Sequence, residues 1–127
     1  MIPKFRAWDK ILKKMNDVTA IDFATKPFRV FYSAYGEDNY FNQDAILMQS
    51  TGMSDINGVE IYEGDIVKAV AFLKWIGIVK YDTEKAAFML DGLNDTHTRD
   101  NYVYMSQFDD DFEILGNIYE NPELMEV

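Results

Sequence analysis

Cysteine is absent from this chain, and histidine occurs once, as His97. The first absence excludes disulfide scaffolds, thiol catalysis and cysteine-ligated zinc. The second excludes a multi-histidine metal site within one chain. No apolar run approaches the roughly 20 residues that span a bilayer, and the first residues contain no apolar stretch of signal-peptide length. Gly-x-Ser-x-Gly is missing, and Gly52, Gly58 and Gly64 match neither phosphate-loop nor dinucleotide spacing. Basic residues are scarce beyond the first quarter. Residues 1–30 hold seven basic and three acidic groups, whereas 31–67 hold seven acids and no Lys or Arg. Residues 86–127 set ten acids against the single Arg99, and the net charge is −10. Such a surface repels nucleic acid and anionic membrane, so neither is expected as a partner.

What is present is a chain of 127 residues, 48% hydrophobic and 15% aromatic, too apolar to stay disordered. Its size suits one ordinary domain. Extended segments dominate. Lys4 to Trp8 alternates, and a basic turn over Asp9–Asn16 leads to a return strand near Val18–Phe23. A helix through Ile11, Leu12 and Met15 competes there but extends in neither direction. Phe28 to Tyr32 is β-branched and aromatic, and residues 33–45 read as a long loop or an ill-defined strand pair. Further strands are expected at Ile46–Gln49, Ile66–Phe72, Trp75–Tyr81, Ala87–Leu90, Tyr102–Ser106 and Phe112–Tyr119. Thr51-Gly52 marks the end of the first of these.

Asn57-Gly58 carries the hairpin signal of a type I′ turn, with positive φ at both residues. Gly64 is expected at positive φ, Gly52 and Gly116 at a bulge or close approach, and residues 91–101 in a loop. Asn121-Pro122-Glu123 has the order of a helix start, with room for little more than one turn. Ile61, Ile66, Val67 and Val79 are core candidates. The resulting fold class is mainly β: an SH3-like small barrel over 46–127 with a short C-terminal tail, and a β-rich N-terminal extension over 1–45 packed on it.

Several blocks resemble the YopX-like proteins of bacteriophages and prophages of low-GC Gram-positive bacteria. They are Ile2 to Asp9, Leu47-Met48-Gln49, Thr51-Gly52, Asn57 to Val67, Gly77 to Tyr81, and Ile114 to Leu124. Together they cover 40 of the 127 residues in one order from end to end. The resemblance implies a β-rich phage-derived protein of the host cytoplasm, with a C-terminal part similar to SH3-type barrels. It brings no established activity, cofactor or catalytic residue. Residues 24–45 and 91–111 match no block of the family.

No catalytic set emerges from the residues themselves. Asp109-Asp110-Asp111 with Glu113, and Asp91 with Asp95 and Asp100, have no calcium-loop spacing and read as solvated acid. His97 reads as an exposed loop histidine. The chain is therefore expected to be no enzyme, to hold no cofactor or metal, and to act on a phage or host protein. Tyr62, Trp75, Tyr81, Tyr102 and Tyr104 are the candidates for partner binding, because exposed aromatics on small barrels dock extended peptides. Core filling is the competing role for the same five. Two other functions stay open: an acidic DNA mimic or inhibitor of a basic nucleic-acid-binding protein, and an enzyme of unrecognised type. Exposed sheet edges also make a homo-oligomer an expectation.

Overall fold

The computed structural model describes residues 4–26, 28–34, 37–41, 45–70, 75–93, 102–107 and 111–126, with 34 and 37–41 described by their backbone alone. The chain divides into two compact units, Met1–Ser50 and Thr51–Val127.

In the first unit, β1 (Phe5–Asp9), β2 (Lys14–Asp22), β3 (Arg29–Ala34) and β4 (Glu37–Phe41) follow one another as antiparallel neighbours. β5 (Ile46–Ser54) pairs on the other side of β1, with Ala7 opposite Leu47. The β1–β2 turn is set by Asp9. Its Oδ1 accepts the N–H groups of Ile11 and Leu12, each at 2.9 Å, and Lys13 takes a positive φ of 53°. An aspartate that binds the backbone two and three residues on favours a turn over a helix. The turn is short, so β2 starts at Lys14, four residues earlier than the sequence pattern suggested. Asp9 Oδ2 also accepts the Tyr32 hydroxyl at 2.6 Å, which ties β1 to β3 across the sheet. Ala7, Val30 and Tyr32 are buried there, with Val18, Ala45 and Leu47 against them.

In the second unit, β6 (Glu60–Tyr62) is a short strand whose Ile61 carbonyl accepts the Thr51 hydroxyl at 2.8 Å. A second sheet contains β7 (Asp65–Ala69), β8 (Ile76–Asp82), β9 (Ala87–Gly92), β10 (Tyr102–Tyr104) and β11 (Phe112–Asn117), in the order β10-β9-β8-β7-β11. No pairing joins β10 to β11 among the described residues, so the sheet is open and the expected closed barrel is not seen. The protein is mainly β. Its described helical segments are two 3₁₀ turns, Met105–Gln107 and Pro122–Met125.

Alternation puts Val67, Ala69, Val79, Leu90 and Phe112 on one sheet face, in a core shared with Ile61, Trp75 and Met105. Ile61, Ile66, Val67 and Val79, the core expected from sequence, are all fully buried. Gly77 lies in the same face for a steric reason. A Cβ at that position would stand 2.5 Å from Trp75 Cη2 and 3.2 Å from the Asp91 carbonyl oxygen.

Turn chemistry departs from expectation at three places. Thr51-Gly52 does not end β5, which runs through a positive φ at Gly52 to Ser54. In the 55–59 turn only Gly58 has positive φ, so the turn is not type I′. Asp55 organises it instead: Oδ1 accepts Asn57 N–H and Val59 N–H, each at 2.9 Å, and Oδ2 accepts Ile114 N–H at 3.1 Å. Asn121 does not cap the final 3₁₀ turn, because its Oδ1 accepts Asn117 N–H at 3.2 Å. Gly64 has the expected positive φ, and β11 has the expected irregularity at Ile114/Gly116.

Burial acts on Asp55 most strongly and would raise its pKa, but the hydrogen bonds from Val59, Ile114 and Asn57 together hold it below the ordinary carboxylate value of 3.8. A carboxylate whose folded pKa is depressed stabilises the fold above its unfolded pKa and loses that contribution as pH falls through the folded one. Asp55→Ala is therefore expected to lower the thermal midpoint by several degrees at neutral pH. The gap to the parent should narrow below about pH 4, as followed by far-UV circular dichroism.

Candidate functional site

The five aromatic candidates do not form one cluster. Trp75 is 9% exposed and belongs to the core. Tyr81 is 38% exposed but lies on the other sheet face from Tyr102 and Tyr104, where its ring meets Phe88 edge-on at 5.1 Å. Tyr62 is half-buried on β6, in the other sheet. Tyr102 and Tyr104 remain. They alternate on β10 with the inward Val103, so both lie on the sheet face opposite Val79 and Leu90, a face they share with the buried Ile78 and Met89. They are 40% and 36% exposed.

The β8–β9 turn builds the polar half of this site. Asp82 Oδ1 accepts the N–H groups of Glu84 and Lys85 at 3.0 and 3.1 Å, and Ala86 closes the turn at a φ of 50°. That leaves Oδ2 to accept the Tyr102 hydroxyl at 2.7 Å. Lys85 Nζ sits 5.8 Å from the centre of the Tyr104 ring, within the range of a cation–π contact. On the same face Lys80 Nζ reaches Asp91 Oδ2 at 2.6 Å. The face thus carries two ordered tyrosines, each held by a charged group of opposite sign.

Electrostatics follow the same pairing. The Tyr102 hydroxyl, with backbone N–H donors, holds the Asp82 carboxyl below its ordinary 3.8. The bond to Asp82, then burial and the charges of Asp82 and Asp91, push the Tyr102 phenol up to about 12. The tyrosine's contribution is full below its ordinary pKa of about 10 and is lost only as pH rises through the shifted value. Asp82 contributes above the ordinary carboxylate range and loses its part in acid. Tyr102→Phe is expected to move the Asp82 pKa up toward its ordinary value, read by NMR titration of the side-chain carboxyl carbon.

Asp82 and Lys85 lie in the turn between the expected strands Trp75–Tyr81 and Ala87–Leu90, and the sequence marked neither as part of a site. An aspartate opening a four-residue turn between two strands was a signal for the turn, and nothing local linked it to a tyrosine 20 residues on. No group of three or more Asp, Glu or His side chains gathers as a metal site among the described residues. His97, Asp95, Asp100, Asp109 and Asp110 lie outside the described residues. No helix among the described residues is long and apolar enough to cross a membrane.

Fold and site define a mainly β protein of two units whose second sheet ends in an ordered tyrosine strand. The family described as "YopX protein" matches residues 4–126. The chain belongs to the YopX family. It is also similar to a solved structure, the crystal structure of protein EF1440 from Enterococcus faecalis. The two share 30% identity over 98% of this chain and 99% of that one, with a TM-score of 0.65. No curated protein matches.

Proposed function

We propose that this YopX-family protein is a phage or prophage accessory protein of the bacterial cytoplasm. It works by binding another protein, and its contact surface is Tyr102 and Tyr104 of β10 with the 82–86 turn. The observation that carries the reading is the pair Tyr102 and Tyr104, both exposed, with the Tyr102 hydroxyl bonded to Asp82 and Lys85 Nζ near the Tyr104 ring. Tyrosine offers a large contact area at low entropic cost, and here its rotamers are already restrained. The second unit is proposed as an open relative of the SH3-like barrel. Support comes from its order: a four-strand meander whose first strand, β7, also pairs with the last, β11, after a 3₁₀ turn.

Affinity purification from a Gram-positive host lysate tests the reading, with the parent protein and Tyr104→Ala compared as baits. A partner held by the parent and reduced at least tenfold by the variant is expected, because anchoring aromatics dominate such interfaces. A partner held equally by both baits counts against this face. Turnover in an activity screen with no partner counts against the whole reading.

A further inference from the structure

Asn57 and Gly58 are both exposed, and a Cβ at Gly58 would meet nothing within 4 Å. Asparagine is a thermolabile residue, because the next backbone nitrogen can attack its side-chain amide carbon. A glycine in the next position offers no Cβ to hinder that approach. In this turn the attack is held off, and one residue does most of the holding. Gly58 N–H, whose nitrogen is the nucleophile, donates to the Asp55 carbonyl at 3.0 Å. Asn57 N–H and Val59 N–H, on either side of it, both donate to Asp55 Oδ1 at 2.9 Å. The Asn57 side-chain amide donates to the same carboxylate. Asp55 therefore binds the attacking group, the group under attack and the backbone on both sides.

We propose that Asn57-Gly58 is a latent isoaspartate-forming site that Asp55 keeps closed. When the turn opens locally, the Gly58 nitrogen gives its proton to solvent and bonds to Asn57 Cγ. The Cγ–Nδ2 bond breaks and ammonia leaves. Water then opens the cyclic imide. Attack at Cγ gives an ordinary aspartate, and attack at the main-chain carbonyl gives isoaspartate, with the chain routed through the former side chain. Nothing is oxidised or reduced. Either product sets a new carboxylate beside Asp55 where a donor stood before, and like charges repel. Isoaspartate also inserts a backbone atom between the two N–H groups that share Oδ1. Both changes weaken the hold of Asp55 on Ile114 N–H, now 3.1 Å from Oδ2, so the modification loosens the edge of β11. The site is independent of the tyrosine contact surface.

The test ages the parent, Asp55→Ala and Val79→Ala at neutral pH, at a temperature where circular dichroism shows each folded, beside the parent in urea. Val79→Ala opens a cavity in the core of the same unit and leaves the bonds of the turn in place. Isoaspartate is read by methyl transfer from S-adenosylmethionine with an isoaspartyl methyltransferase. Peptide mass locates the change as a gain of one mass unit at Asn57. The parent in urea and the folded Asp55→Ala are expected to react several-fold faster than the folded parent, with Val79→Ala close to the parent. Three results overturn the proposal: equal rates for the folded parent and the parent in urea, equal acceleration by both variants, or no product at Asn57 in urea. In aged parent protein, amide exchange at Ile114 should be several-fold faster than in fresh protein. Unchanged exchange there overturns the link to β11.

Discussion

Trp75→Ala is expected to cost about 3–5 kcal/mol of folding stability, the usual range for removing a large aromatic from a core. The residue is 9% exposed and shares its cluster with Val67, Val79, Leu90 and Phe112. Its ring occupies the space that a side chain at Gly77 would fill, so neighbours cannot move in from that direction without backbone movement. Trp75→Phe, which keeps part of the volume, should lose less. Urea unfolding followed by far-UV circular dichroism reads both. Tyr104→Ala is the contrast: Tyr104 lies outside that core cluster and is partly exposed, so its removal should cost clearly less than that of Trp75. If Trp75→Ala left stability unchanged and abolished partner capture, Trp75 would be a surface anchor and the core assignment would be wrong.

Asp9→Ala is expected to cost about 3 kcal/mol or more. Asp9 is fully buried, and its carboxylate accepts three bonds, from Ile11 N–H, Leu12 N–H and the Tyr32 hydroxyl. Hydrogen bonds to charged groups contribute about 1.5–3 kcal/mol each, and buried donors left without a partner add an uncompensated desolvation penalty. Tyr32→Phe removes one of the three and should cost about 1.5–3 kcal/mol. The two losses should not add, because both variants break the same bond, and the double variant measures that coupling. Trp8, beside Asp9 in β1, gives a fluorescence signal for unfolding of the first unit.

Much of this fold was legible in the sequence, for a definite reason. Ile61, Ile66, Val67 and Val79 are β-branched and fully buried, so composition and burial agreed strand by strand. Gly64 was legible because a turn there needs positive φ. What stayed hidden depends on partners distant in the chain. Asp55 reaches Ile114, which is 59 residues away, and Asp9 reaches Tyr32 across β2. The type I′ expectation failed because the turn closes one residue earlier, with Gly58 N–H on the Asp55 carbonyl, so Gly58 alone needs positive φ. Asn121 failed as a cap because Asn117 offered a competing N–H. In the site, composition identified five aromatics, and only the tertiary packing separates the exposed Tyr81, Tyr102 and Tyr104 from the buried Trp75.

The contact surface is tested most directly by hydrogen exchange on the parent protein alone and bound to its captured partner. Slowed exchange at residues 102–104 and in the 82–86 turn is the expected footprint, with the first unit unchanged. Slowed exchange confined to the first unit, with residues 102–104 unaffected, would contradict it.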